Sequence, residues 1–281
     1  MKRLIIMLAA ILMALPASSQ ALSSLLIPTD AKSLAMGGTT VLPGKAAGDA
    51  QALFGIWAPA SASNTIVGAD AFISIGDRLK LSLAGKDFMD KPYNISGEQG
   101  TVKGTFKPYD LILSLGVSYF ITEAIDAGMT IRSVTSILAE NAKGSAFCGD
   151  VRVGYSAKSW NANLSVRNLG TPINYGNGAN NLPTLVAVHG GVVPVSGLSI
   201  NAEADYLFSG AMMAGAGVGY CYADIVSVRA GFHYGDPSKA LPSFGSIGLG
   251  GKIFGIHLDA AYIFASPTIG NSFQVNLGYA F

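Results

Sequence analysis

The sequence predicts an all-β protein, a transmembrane antiparallel β-barrel of about 14 strands with a short plug-like segment near its N-terminus. Three observations predict it. Half of the 281 residues are hydrophobic and only 12% are charged, against about a quarter in a soluble globular domain. From Thr65 onward, apolar residues alternate with polar or small ones in stretches of about ten, the period of strands with two unlike faces and the length that crosses a bilayer at a tilt. Past the first 21 residues, no apolar run reaches the ~20 residues of a spanning helix. A closed barrel is then the structure that can pair every backbone N–H and C=O within hydrocarbon. The mean hydropathy of +0.41 agrees with a membrane setting. The net charge is +1 and no basic cluster stands out, so nucleic acid is not an expected partner.

The elements follow in chain order. Residues 1–21 read as a signal peptide: Lys2 and Arg3 carry positive charge, Leu4 to Leu15 are apolar, and Pro16 precedes small residues. Cleavage is expected after Ser19 or Ala21, and neither site precedes the cysteine of a lipoprotein anchor. Residues 22–63 are rich in small residues and punctuated by Gly37-Gly38, Pro43-Gly44 and Pro59. They suit a plug or a periplasmic extension, with the plug favoured because irregular backbone at membrane depth must be enclosed by protein.

Residues 64–281 are read as the barrel. Strands are expected near 66–75, 78–88, 110–121, 124–138, 145–158, 160–169, 183–194, 197–208, 211–222, 225–235, 243–254, 256–265 and 271–281, with at least one more between Tyr93 and Phe106. The last is clearest: Phe273, Val275, Leu277, Tyr279 and Phe281 share one face, and Ser272, Gln274, Asn276, Gly278 and Ala280 the other. Aromatic residues such as Tyr155, Trp160, Tyr262, Phe264, Tyr279 and Phe281 gather near strand ends, as an interfacial girdle requires. Most connections are tight turns such as Ser196-Gly197 and Phe254-Gly255. The longer ones are Asp87 to Gly104, Thr171 to Leu182 and Gly235 to Pro242.

With the apolar face toward lipid, the strand charges fall on the other face: Asp70, Arg78, Lys80, Asp126, Arg132, Asp150, Arg152, Arg167, Glu203, Asp205, Arg229, Lys252 and Asp259. An Arg or Lys facing lipid at the midplane costs about 2–4 kcal/mol, which explains the sorting without any function. The signs are nearly balanced. Arg132, Asp150, Arg152, Arg167, Glu203, Asp205, Arg229 and Asp259 are therefore predicted to form a packed lumen network, with a ligand or conduction path as the alternative.

Catalysis finds little in the sequence. No serine sits in a Gly-x-Ser-x-Gly turn, His189 reads as a packing residue in an apolar strand, and His233 and His257 are expected in the lumen beside charges. No enzyme activity, cofactor or metal is expected. Cys148 and Cys221 fall in strands far apart in barrel order, so no disulfide is expected either. Gly215 to Gly219 and Gly245 to Gly251 read as places where the barrel bends or a plug approaches closely.

Several stretches carry a family resemblance. They are Pro28 to Gly38 (Pro-Thr-Asp-Ala-Lys-Ser-Leu-Ala-Met-Gly-Gly), Ile56-Trp57-Ala58-Pro59-Ala60, Val166-Arg167-Asn168-Leu169-Gly170 followed by Leu182-Pro183, Val228 to Phe232, and Leu277 to Phe281. In their order and spacing the chain resembles the PorV/PorQ family, outer-membrane barrels related to FadL-type transporters. Lys32 stands where that family usually has arginine, and Ala58 where it has asparagine. The resemblance implies a barrel in the outer membrane of a Gram-negative, Bacteroidetes-like bacterium, docking or shuttling secreted or surface proteins as in type IX secretion. Outer-membrane lipid would be a partner, as would the barrel-assembly machinery through the C-terminal strand ending at Phe281. The alternative is a FadL-like transporter of a small hydrophobic ligand. Short loops and a balanced lumen lean toward docking, whereas a continuous apolar groove under the N-terminal segment would favour transport.

Overall fold

The computed structural model describes residues 22–28, 30–41, 46–58, 64–96, 101–176, 178–236, 240–264 and 271–281. The signal peptide expected over residues 1–21 lies outside them. In chain order the strands are β1 (Gly48–Trp57), β2 (Asn64–Ile75), β3 (Leu79–Met89), β4 (Tyr93–Ser96), β5 (Val102–Phe106), β6 (Tyr109–Phe120), β7 (Ile125–Ala139), β8 (Ala142–Ser156) and β9 (Trp160–Gly170). There follow β10 (Ile173–Asn174), β11 (Ala179–Asn180), β12 (Leu185–Val195), β13 (Leu198–Leu207), β14 (Met212–Tyr222), β15 (Val226–Gly235), β16 (Phe244–Ile253), β17 (Ile256–Phe264) and β18 (Ser272–Ala280).

Fourteen of these close into an antiparallel barrel, ordered β1-β18-β17-β16-β15-β14-β13-β12-β9-β8-β7-β6-β3-β2. The expected strand count is right, but one member differs. Tyr93 to Phe106 supplies β4 and β5, which pair with each other in a separate two-stranded ribbon. The missing barrel strand is β1, taken from the segment read as plug, and it closes the sheet by pairing with β18 on one side and β2 on the other. The sequence signal was weak because the lipid face of β1 is Ala50, Ala52, Phe54 and Ile56, half of it small. Its lumen face carries Asp49, Gln51, Leu53, Gly55 and Trp57.

Alternation holds around the wall. In β18, Phe273, Leu277 and Tyr279 are exposed to the outside while Ser272, Gln274 and Asn276 are buried inside. Tight turns at Gly76 to Arg78, Ser196-Gly197, Ala223 to Ile225 and Phe254-Gly255 lie at the same end as Phe281. The ribbons β4-β5 and β10-β11 lie in connections at the opposite, loop end. Exposed aromatic residues mark both rims. Tyr119, Tyr155, Trp160, Tyr222, Tyr279 and Phe281 belong to the turn end; Tyr234, Tyr262 and Phe264 belong to the loop end. Such paired girdles suit rings at the two membrane surfaces.

Leu115, at mid-height in β6, points outward beside Ser114, which points inward. Leu115→Arg should destabilise the barrel by about 2–4 kcal/mol, because the charge finds no partner in hydrocarbon. Ser114→Asn should leave folding unchanged. Heat-modifiable gel migration checks this, and equal sensitivity at the two positions would contradict the assigned facing.

Candidate functional site

Residues 22–28 and 30–41 run inside the barrel. The one α-helix among these described residues, α1 (Ala31–Ala35), is one turn long and locally specified. Asp30 caps it, accepting from the Lys32 and Ser33 backbone N–H groups at 3.3 and 3.1 Å. Gly37 and Gly38 end it with φ of 72° and 77°, a left-handed conformation that glycine adopts without strain.

A segment this short leaves most backbone groups to be satisfied by the wall. The Ala31 N–H donates to Asn276 Oδ1 at 3.1 Å, Gly37 N–H to Ser246 Oγ at 3.2 Å, and Thr40 N–H to Glu203 Oε2 at 2.7 Å. The Thr40 carbonyl accepts from Asn201 Nδ2 at 3.3 Å. Glycine makes room for this approach: a Cβ on Gly217 would lie 2.5 Å from Met36 O, and one on Gly215 or Gly231 would meet the Gly37 backbone. The glycine runs of β14 to β16 are thus the floor on which the plug rests.

The charges predicted for a lumen network do line the interior, but in separate groups. Arg132 pairs with Asp150 through both its terminal nitrogens and reaches Asn168 Oδ1 at 3.0 Å. Arg152 pairs with Asp126 and reaches Asn163 Oδ1 at 2.9 Å. Arg167 pairs with Glu203 at 2.9 Å and with Thr40 Oγ1 at 3.1 Å. Arg229 pairs with Asp259 at 2.8 Å, and Lys32 of the plug reaches the same carboxylate at 3.4 Å. Asp205 lies two residues from Glu203 on the same face, with a buried Oδ1 that has no partner.

Several sequence expectations need correction. Arg78 and Lys252 are exposed at the turn end, where water solvates them. His189 is no packing residue: its Nδ1 lies 3.4 Å from Glu203 and its Nε2 3.2 Å from Asn161 Oδ1. His257 does lie among charges, 2.9 Å from Asp49. His233 instead stacks on Phe244 at 4.8 Å, and its Nδ1 meets Gly37 O at 3.3 Å. Sequence reasoning also missed a bulge. Arg167 and Asn168 both stand opposite Asp150, with Asn168 at φ 57°, so two successive side chains turn inward.

Trp57, Ile66, Phe88, Ile112, Val134, Leu185, Leu207, Met213, Phe244 and Ile263, all near the loop ends of their strands, form an apolar cluster with Leu22 and Ile27 of the plug. The Arg152–Asp126 and Arg229–Asp259 pairs lie nearer the turns, whereas Arg167 stands opposite Leu185, level with the cluster. Because the plug leans on β15 to β18, space remains on the opposite side. A cavity of about 400 Å³ opens there. Its lining includes Leu25, Ile27, Phe88, Ile112, Leu185 and Leu241 at the loop end, with the polar Lys86, Asp205 and His233 among them, and Ser118, Gly128, Thr130 and Arg152 near the turns.

No family model matches the chain, and no curated protein sequence does. Solved structures do. The toluene transporter TbuX of Ralstonia pickettii matches with a TM-score of 0.59 at 12% identity, over 91% of this chain and 98% of that one. The Pseudomonas putida toluene transporter TodX gives 0.58 at 11% identity, over 91% and 99%. A FadL homologue of Pseudomonas aeruginosa gives 0.50 at 10% identity, over 83% and 89%. The chain has the fold of the FadL-type outer-membrane barrels. At these identities the likeness is one of fold. The PorV/PorQ resemblance finds no support in these matches.

Glu203 joins the Arg167 pair to the Thr40 backbone, and its side chain is only 3% exposed. Removing one partner of a buried pair costs about 3–5 kcal/mol. Glu203→Ala should therefore loosen the plug before the wall, exposing the Thr40 region to hydrogen exchange while the barrel stays heat-modifiable. Unchanged exchange at Thr40 would show that the plug is held by other contacts.

Proposed function

We propose that this barrel sits in the outer membrane of a Gram-negative bacterium and passes a small hydrophobic ligand through the cavity beside its plug. The observation that carries this reading is the cavity itself, where Leu25, Ile27, Phe88, Ile112, Leu185 and Leu241 share the lining with polar groups such as Lys86, Arg167 and Asp205. Its volume of about 400 Å³ falls within the roughly 300–1,000 Å³ of small-molecule sites. A path must bind well enough to admit a ligand and weakly enough to release it. The apolar side chains remove the ligand from water, and the polar ones among them keep it from being held too tightly.

Other observations support the reading. The structures with the same fold include transporters named for toluene. The two girdles and the exposed apolar outer face suit outer-membrane lipid. The C-terminal strand running out to Phe281 is the element this chain would offer the barrel-assembly machinery. A role in docking secreted or surface proteins rests on the sequence resemblance, and no feature of the lumen calls for it.

Toluene serves as the probe. Expression of the barrel in a Gram-negative host lacking such channels should raise toluene uptake at low external concentration several-fold. Ser114→Trp, which fills the cavity at mid-height, should return uptake to the background while leaving a folded barrel. If uptake is the same with and without the barrel, and the barrel instead captures specific surface proteins in a pull-down, the docking reading replaces this one.

A further inference from the structure

Hydrophobic passage alone does not account for the guanidinium groups that face the cavity. Arg132 on β7, Arg152 on β8 and Arg167 on β9 all line it, and their side chains remain 22, 28 and 30% exposed. These side chains point inward, so the exposed surface lies in the lumen. A guanidinium carries N–H donors in a planar fork and no acceptor. The three ion pairs use only part of that supply.

Arg167 shows which donors are left. Its Nε donates to Ser165 Oγ at 3.1 Å, and its Nη2 serves Thr40 Oγ1 at 3.1 Å and Glu203 at 2.9 Å. Among the described residues nothing accepts from Nη1, and that atom keeps surface open to the lumen. The same holds for Nε of Arg132 and Nε of Arg152, whose bonds all run through Nη1 and Nη2. The neighbouring carboxylates are more fully used: Asp30 and Asp150 each accept three hydrogen bonds. Arg167 also stands opposite Leu185 in the ladder, beside the apolar part of the lining.

We infer that the cavity is a subsite for a small neutral molecule with an apolar body and one hydrogen-bond acceptor, an aryl ketone or comparable carbonyl compound, whose oxygen accepts from Arg167 Nη1. This rests on the proposed hydrophobic passage and narrows it. Water serves open N–H groups of this kind as long as no ligand is bound. A plain hydrocarbon that fills the cavity displaces that water and replaces none of its bonds, which loses affinity. An anion gains little, because the positive charges are already matched. Each guanidinium has its own carboxylate, and the remaining charges of the lining are Lys86 against Asp30 and Asp205. A charge brought into so balanced a lumen is desolvated without a counter-charge to offset the loss. A neutral acceptor takes the open donors and adds no charge.

Acetophenone, α-methylstyrene and benzoate test the assignment by titration calorimetry on the purified barrel in detergent. They share a phenyl ring and nearly one shape, and present a carbonyl, a methylene and a carboxylate in turn. Arg167→Lys keeps a positive charge beside Glu203 and removes the planar fork. It should lower acetophenone affinity about tenfold, the loss of one hydrogen bond to a charged group, with α-methylstyrene affinity unchanged within about twofold. A general loosening of the plug would weaken both alike. If both bind and their ratio is the same in the variant, the acceptor subsite is wrong while the hydrophobic passage stands. If neither binds the unaltered barrel, both readings fall. Benzoate should bind the unaltered barrel at least about tenfold more weakly than acetophenone. Equal or tighter benzoate binding would put an anion in place of the neutral ligand and overturn the assignment. A second measurement needs no variant. In a crystal soaked with para-bromoacetophenone, the bromine signal orients the ring, and the ketone oxygen should lie within about 3.2 Å of Nη1. A ketone oxygen directed elsewhere overturns the assignment.

Discussion

The pairing of β1 with β18 closes the wall, and at the turn end of that seam Gly48 and Phe281 exchange two backbone bonds, each at 2.9 Å. Within hydrocarbon an unpaired backbone group costs several kcal/mol, so the sheet has no stable open form there. Closure fixes which side chains face inward. With fourteen strands it also makes a lumen wider than wall side chains can fill, since about eight strands is the size at which they just suffice. Some other part of the chain must occupy it. The plug is the consequence, and its position is set by where the wall is thinnest, on the glycines of β14 to β16. A plug resting on one side leaves a cavity on the other.

The ion pairs follow from the same constraint. Buried pairs roughly break even against apolar packing, so their presence is weak evidence for stability. Their arrangement is more informative. Lys32 on Asp259, Thr40 on Glu203 and Ala31 on Asn276 each join the plug to a different strand of the wall. Three such anchors on β17, β13 and β18 determine where an otherwise irregular segment lies.

Much of this was legible in the sequence, for a physical reason. A charge facing lipid is so costly that alternation alone sorts inside from outside, and it did so for Arg132, Asp150, Glu203 and Asp259. Alternation fails where the outward residues are small, as at Ala50 and Ala52 of β1. It also fails where alternating strands pair outside the barrel sheet, as β4 and β5 do. It says nothing about pairing partners, because Arg167 on β9 meets Glu203 on β13 across β12 and Lys32 meets Asp259 from the plug. Parity would have placed His189 inward. Its apolar neighbours suggested otherwise, yet Val188 and Val192 face lipid while His189 and Gly191 face the lumen.

The bulge in β9 is where wall, charges and cavity meet. An ordinary strand would turn Asn168 to lipid; the extra residue turns it inward beside Arg167. Arg167 can then reach Glu203 and the plug, while Asn168 serves Arg132 through its side-chain oxygen and Asp150 through its backbone N–H at 2.9 Å. The same residue donates from Nδ2 to Pro183 O at 3.1 Å and accepts from Thr184 Oγ1 at 2.9 Å. Above Leu185 the ladder between β9 and β12 has ended, so these two bonds hold the connection against the wall. One inserted residue thus links two ion-pair groups that lie on different strands and seals the wall just beyond them.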